Sequence, residues 1–248
     1  MLERGTILQR TSAEWISRRR KLLTSSTFGE VCKRRVTTSC VSLVKNIVYG
    51  SNLSTIPAVR YGIDNEEIAI KQLEKQENIT IISCGLFVDK NKHFLGTTPD
   101  GKYADGIVEI KCPSSLATLD FEDGMKKHPF WKFDKTTDSF VVNEAHNWYY
   151  QIQGQLHITN ENVCMLGIWF GKERPMKVYI IRRNDQFWKS KMETKLVKFY
   201  MDCLLPELVD PRIPRSMEIR NPSYVLKAME ERKERLTRAL NVVIRSND

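Results

Sequence analysis

The sequence of 248 residues lacks any Cys-x-x-Cys pair. Cys32, Cys40, Cys84, Cys112, Cys164 and Cys203 are scattered along it, a pattern that suggests neither a zinc site nor a disulfide framework and predicts free, mostly buried thiols. No Pro-, Gly- or Ser-rich linker and no repeat divides the chain. One α/β domain over 1–248 is expected, with basic helices over about 10–50, a core over about 58–185 and further helices over about 185–244. No apolar run approaches the length of a membrane span, and Met1 to Arg10 lacks the apolar core of a signal peptide. The expectation is a soluble, intracellular protein with no membrane partner. A nuclear location stays open, because Arg18-Arg19-Arg20-Lys21 fits an import signal only weakly.

Charge of one sign is scarce where the other collects. Residues 1–35 hold nine basic side chains against Glu3, Glu14 and Glu30, so about two-thirds of the net charge of +9 sits at this end. A polyanionic partner follows, although a basic face that only aids solubility has the same composition.

Hydrophobic content of 41% supports a folded domain of enzyme size. Thr11-Ser12-Ala13-Glu14 has capping-box spacing and predicts a helix over about 12–22. Thr24-Ser25-Ser26 opens a second, carrying Phe28, Val31 and Cys32 and ending in Lys33, Arg34 and Arg35. Helices over 41–49 and about 59–76 follow, the first stopped by Gly50. Short β segments are expected at 79–82, 86–89, 94–98 and 107–112, then an irregular stretch over 114–138 and a helix over 144–158. Strands at 163–170 and 177–183 and helices over about 185–204 and 222–244 complete an α/β sandwich around a mixed sheet.

The chemistry concentrates between Pro99 and Lys111. Asp105-Gly106 favours a type I′ turn, and Ile107 to Lys111 alternates with period two, so Glu109 and Lys111 share one face and Val108 and Ile110 the other. A hairpin then gathers Asp100, Glu109 and Lys111, the composition of a metal-dependent phosphodiesterase site. A carboxylate-bound Mg²⁺ lowers the pKa of an attacking water and acts as a Lewis acid. Asp100 and Glu109 are the candidate ligands, with the Ile110 carbonyl a third, and Lys111 is placed to orient or deprotonate the water. An exposed Glu109–Lys111 ion pair on an amphipathic strand has the same pattern. Upstream, Arg60 to Ala69 puts Glu66 and Glu67 on a helix. Downstream, Gln151 and Gln155 stand four apart, on one helix face whose orientation periodicity does not fix.

Pro99-Asp100-Gly101, then Glu109-Ile110-Lys111-Cys112-Pro113, then Tyr149-Tyr150-Gln151-Ile152-Gln153 form an ordered set that resembles the YqaJ-type viral recombinase family, the phage lambda exonuclease-like branch of the PD-(D/E)XK nucleases. The resemblance covers about residues 10–185. It implies a single nuclease domain with a restriction-endonuclease-like core, a central mixed β-sheet flanked by helices, and helical extensions at both ends. It implies that Asp100 and Glu109 bind metal, that Lys111 serves the water, that Glu66 reaches a second ion directly or through water, and that Gln151 supports the site. Glu67 is the alternative if the helix register differs by one. One or two Mg²⁺ ions are implied, with Mn²⁺ as a substitute.

Trp15, Arg19, Thr24 and Ser26 match the family's opening motif, in which the Arg and Ser recognise a 5′-phosphate; Arg34 or Arg35 is a further basic contact, and Arg18 and Arg20 leave the register open. The implied activity is 5′-to-3′ digestion of linear double-stranded DNA from free ends, in recombination or repair, beside a single-strand annealing or recombinase partner. An endonuclease, an RNase or a catalytically silent nucleic-acid-binding module are the alternatives. The chain lacks the four-cysteine spacing of nucleases that carry an iron–sulfur cluster. The 114–138 stretch and the last helix have no family counterpart, so a ring-shaped oligomer is not assumed.

Overall fold

A computed structural model describes residues 2–50 and 55–245. After a single helical turn α1 (Leu2–Gly5), Ser12 caps α2 (Ala13–Arg19) by accepting the Trp15 N–H at 3.2 Å. Strand β1 (Leu23–Thr24) leads into α3 (Ser25–Lys33) and α4 (Val41–Tyr49), and Gly50, at φ +77, ends α4. Pro57 starts the long α5 (Pro57–Glu77), and Asn78 closes it in the left-handed region.

Strands β2 (Phe87–Val88) and β3 (Leu95–Thr97) pair antiparallel, and β1 adds in parallel to β3. A separate sheet has the order β4 (Gly101–Tyr103), β5 (Gly106–Lys111), β8 (Val163–Ile168), β9 (Lys177–Arg182). Here β5 is antiparallel to β4 and parallel to β8. The parallel step requires a long crossover. It contains α6 (Phe121–Lys127), the hairpin β6 (Trp131–Asp134) and β7 (Ser139–Val142), and α7 (Asn147–Thr159). The chain then runs through α8 (Asp185–Phe187), α9 (Thr194–Phe199) and α10 (Leu205–Val209), joined by wider π-type turns, to α11 (Ser223–Arg245).

Three apolar clusters hold these layers. Ile107, Ile152, Leu156 and Leu166 pack between the four-stranded sheet and α7, and Ala69, Leu73, Val108, Ile110 and Met165 between the same sheet and α5. A third cluster joins Phe28 and Val31 of α3 to Trp188, Leu196 and Phe199. All six cysteines are free and buried.

The expected strand over 79–82 is reduced to one bridge, Ile82 to Lys102. The expected irregular stretch instead carries α6 and β6, and the expected helix over 185–204 forms without a gap but widens into π turns over 188–193 and 200–204 and runs on to Val209. The hairpin differs as well: Tyr103 pairs with Gly106, so Ala104 and Asp105 form the loop, and neither has the positive φ of a type I′ turn. Gly106 has another reason to be glycine. A Cβ there would lie 2.2 Å from the Val163 carbonyl oxygen on neighbouring β8.

Candidate active site

Both faces of β5 are covered, because it lies inside the sheet with α5 on one side and α7 on the other. Glu109 is only 2% exposed, so the exposed ion pair that the alternation allowed is not what forms. Its Oε1 accepts from Lys111 Nζ and from Gln151 Nε2, each at 2.5 Å, and its Oε2 accepts from Gln155 Nε2 at 2.6 Å. Lys111 also donates to Gln151 Oε1 at 3.1 Å. The two glutamines stand one turn apart on α7 and hold both carboxylate oxygens.

Asp100 enters across the hairpin. Its N–H donates to the Val108 carbonyl at 3.1 Å, and its Oδ2 accepts the Ile110 N–H at 2.6 Å, so the strand register itself sets it beside Glu109. Burial pushes the Asp100 carboxyl well above the usual carboxylate range, and the charges of Glu109 and Glu66 push in the same direction. For Lys111, burial pulls the pKa down, but Glu109 and Asp100 more than offset it, and the ammonium ends with a raised pKa.

Glu66 on α5 accepts from Arg10 Nη2 at 2.9 Å. Glu67 points away and pairs with Lys71 at 2.7 Å, which fixes the helix register on Glu66. Arg19 donates to Ser26 Oγ at 2.8 Å and lies 4.7 Å over the Trp15 ring, whose Nε1 donates to Thr98 Oγ1 at 3.0 Å. Burial, and secondarily Arg10, lowers the Arg19 pKa to about 10, so it remains a cation at neutral pH. Arg18 instead pairs with Glu14 at 3.6 Å, and Arg20 lines a different groove beside Lys21.

Arg19, Ser26, Glu66, Asp100, Glu109, Ile110, Lys111 and Gln151 all line one cavity of about 210 Å³, with Gln9, Arg10, Trp15, Ser25 and Thr98. A cleft of about 510 Å³ adjoins it between α5 and the end of β5, sharing Arg10, Glu66, Ile110 and Lys111 and reaching Trp148. Arg34 and Arg35 are not brought into either space. Arg34 donates to the Thr38 carbonyl and lies 5.7 Å over Phe199, and Arg35 is exposed, because α3 carries its C-terminal end away from the Ser26 end. Gln155 and Arg10 are additional polar neighbours. The i, i+4 spacing from Gln151 pointed to Gln155. No local pattern pointed to Arg10, whose partner is 56 residues away.

Among the described residues, no three carboxylate, histidine or cysteine side chains converge into a ready-made cation cage. The carboxylates are tethered separately, Glu66 to Arg10 and Glu109 to Lys111 and the glutamines. Their chemistry nonetheless fits a hard divalent cation: the donors are all oxygen, and the mutual repulsion that raises the Asp100 pKa is what such an ion relieves.

Solved structures share this architecture. The alkaline exonuclease LHK-Exo from Laribacter hongkongensis superposes with a TM-score of 0.61 at 19% identity, over 82% of this chain and 97% of that one. The same protein in complex with dAMP gives 0.60 at 18% identity, over 81% and 96%. KSHV SOX in an RNA complex gives 0.55 at 10% identity, over 86% and 74%. The fold is that of the PD-(D/E)XK nucleases. The pattern of the YqaJ-like viral recombinase domain matches residues 14–162, and the chain belongs to that family. Among curated proteins there is no match. No helix among the described residues is long and apolar enough to cross a membrane.

Proposed function

We propose that this chain is a metal-dependent deoxyribonuclease that degrades linear double-stranded DNA from its ends, 5′ to 3′, in recombination or repair. The observation that carries the reading is the single polar cavity in which Asp100, Glu109, Lys111, Glu66 and Gln151 meet Arg19 and Ser26. Family membership and the shared exonuclease fold support it.

Asp100, Glu109 and the Ile110 carbonyl would hold one Mg²⁺ or Mn²⁺, and Glu66 a second, directly or through water. When bound, such an ion supplies an activated water and polarises the phosphoryl group. The remaining work belongs to side chains. Lys111, kept protonated by Glu109 and Asp100, donates toward the attacking water and the charge that builds on the phosphoryl oxygens. Gln151 fixes Lys111 and Glu109 relative to each other, and Gln155 fixes the far oxygen of Glu109. Arg19, at the end of α2, and Ser26, in the first turn of α3, bind the terminal 5′-phosphate, and the Trp15 ring holds the guanidinium in place.

The deciding experiment incubates the protein with end-labelled linear duplexes, with and without a 5′-phosphate, beside a closed circle and an RNA duplex, in Mg²⁺ or EDTA. Mononucleotides released from phosphorylated linear ends in Mg²⁺ alone are expected. Nicking of the circle indicates an endonuclease, and digestion of RNA alone an RNase. Intact DNA with every divalent metal leaves a binding module.

A further inference from the structure

We propose that Arg10 is an additional phosphate-binding residue of this site, delivered by the segment that precedes the family-matched region and held on Glu66 until a DNA strand displaces it. The proposal rests on the nucleolytic reading of the cavity and names a group that grips the strand there.

Residues 2–11 lie before the match at 14–162, yet they are locked onto the fold. Thr6 is fully buried; its Oγ1 donates to the Leu2 carbonyl and accepts the Leu86 N–H, both at 2.8 Å. Glu3 Oε1 accepts the Gly85 N–H at 3.2 Å, and a Cβ on Gly85 would stand 2.0 Å from the Glu3 carbonyl oxygen, so the strap lies flat only over a glycine. At its end, Gln9 takes a φ of +42 and donates through Nε2 to the carbonyls of Cys84 at 3.0 Å and Pro99 at 3.4 Å. Left-handed backbone at a non-glycine residue costs energy and persists where the surroundings impose it. Here it anchors the segment to the residue before Asp100, and the next side chain, Arg10, lines both the small cavity and the adjoining cleft.

The bond to Glu66 does not account for this construction. The pair is 49% and 29% exposed, and such ion pairs contribute little. Arg10 and Arg19 instead present two guanidinium forks to one small cavity, and among the described residues no carboxylate pairs with Arg19. Their mutual repulsion contributes to the lowered Arg19 pKa, after burial. Two cations facing a shared space are relieved by an anion, and the planar fork matches phosphate oxygens bidentately. Arg19 and Ser26 suit the terminal phosphate. Arg10, beside Glu66, suits the non-bridging oxygens of the phosphodiester lying across the carboxylates.

The test is binding without hydrolysis. A fluorescent, 5′-phosphorylated duplex is titrated in EDTA between about 50 and 200 mM salt, with the wild type, Arg10→Ala, Arg10→Lys and, as a control, Arg4→Ala, an exposed charge of the same segment outside both spaces. Arg10→Ala is expected to weaken binding about five- to tenfold and to reduce the salt slope by about one, the signature of one lost phosphate contact. Arg10→Lys should keep the slope and lose part of the affinity, and Arg4→Ala should stay within twofold of wild type. Gly85→Ala, which displaces the strap without touching a charge, should reproduce the Arg10→Ala loss. Arg10→Ala binding like wild type with an unchanged slope would overturn the proposal, and so would equal losses for Arg4→Ala and Arg10→Ala. A protein that binds as expected but cleaves nothing with any divalent metal refutes the nuclease reading instead and leaves the contact standing.

Discussion

Strand β5 presents two buried faces made of opposite chemistries. Toward α5, Val108 and Ile110 meet Ala69 and Leu73 in an apolar layer. Toward α7, Ile107 joins an equivalent layer, but Glu109 and Lys111 meet Gln151 and Gln155 in a polar one. The apolar face gains from being removed from water, at about 25 cal/mol per Å². The polar face gains little, since a buried charge recovers its desolvation cost only when every partner is in place. Asp100, beside this face, is pushed well above the usual carboxylate range by its burial first and then by the charges of Glu109 and Glu66. The difference teaches that one face holds the fold together, whereas the other is held together by the fold and carries the chemistry proposed for the site.

The sharpest way to break that comparison is to cross its two predicted phenotypes. Asp100→Asn removes a carboxyl that burial and two neighbouring acids disfavour in its charged form. Hydrolysis should fall about 10³-fold or more while the urea midpoint in metal-free buffer holds or rises, the pattern of an active site that costs stability. Leu73→Ala, at a fully buried position on α5, should do the reverse: a loss of about 2–5 kcal/mol, with turnover per folded molecule nearly unchanged. The idea fails if Asp100→Asn digests DNA at the wild-type rate, or if Leu73→Ala is inactive while still folded.

The same contrast explains what was legible in the sequence. Alternation along 107–111 announced a strand and put Glu109 and Lys111 together, but alternation cannot say that both faces are buried; that depends on β8 and α5 arriving from elsewhere in the chain. The helices expected at 41–49 and about 59–76 announced themselves through Gly50 and through the apolar spacing of Ile63, Ile68, Ile70 and Leu73, and Pro57 and Asn78 set the actual ends of the second. The β6–β7 hairpin did not: its strands are four residues each, its Phe133 is half exposed, and its turn rests on Asp134 and on a positive φ at Asp138. At the site, spacing brought forward Asp100, Glu109, Lys111 and the Gln151–Gln155 pair. Arg10 stayed hidden, because a contact across 56 residues leaves no local period.

A milder perturbation sharpens the comparison by making the polar face partly apolar. Gln155→Leu removes the donor to Glu109 Oε2 and also removes Gln155 Oε1, a buried oxygen with no partner among the described residues. The two changes oppose each other in stability, so the urea midpoint should move by about 1 kcal/mol or less. Hydrolysis should nonetheless drop about 10- to 100-fold, with a higher Mg²⁺ requirement, because Glu109 Oε2 loses its donor and only Oε1 stays fixed, by Lys111 and Gln151. A metal titration of activity checks both. Arg19→Ala comes next: preference for 5′-phosphorylated over hydroxyl ends should shrink about tenfold, and an unchanged ratio would remove the phosphate from Arg19 and Ser26.

The smallest expected effect concerns the end of α7, which carries the polar face. His146 caps this helix, its Nδ1 accepting the Trp148 N–H at 3.3 Å, and its ring sits 5.6 Å from that of His128, which stacks on Trp148 at 4.7 Å. Burial first, then the charges of His128, Lys33 and Lys111, bring the His146 pKa down to about 4. In the unfolded chain it returns to about 6.5, so below that pH the unfolded state takes up a proton that the folded state refuses. Stability is therefore complete above about pH 6.5 and declines as the pH falls toward 4. Between pH 7.5 and 5 the loss should be about 1 kcal/mol, reduced from its full value because the ring is half exposed. Glutamine at this position keeps an oxygen that can accept the capping N–H but takes up no proton, so His146→Gln should flatten the decline in urea midpoint. Should the variant and wild type decline in parallel, the acid sensitivity of this end of the site resides elsewhere than in the cap.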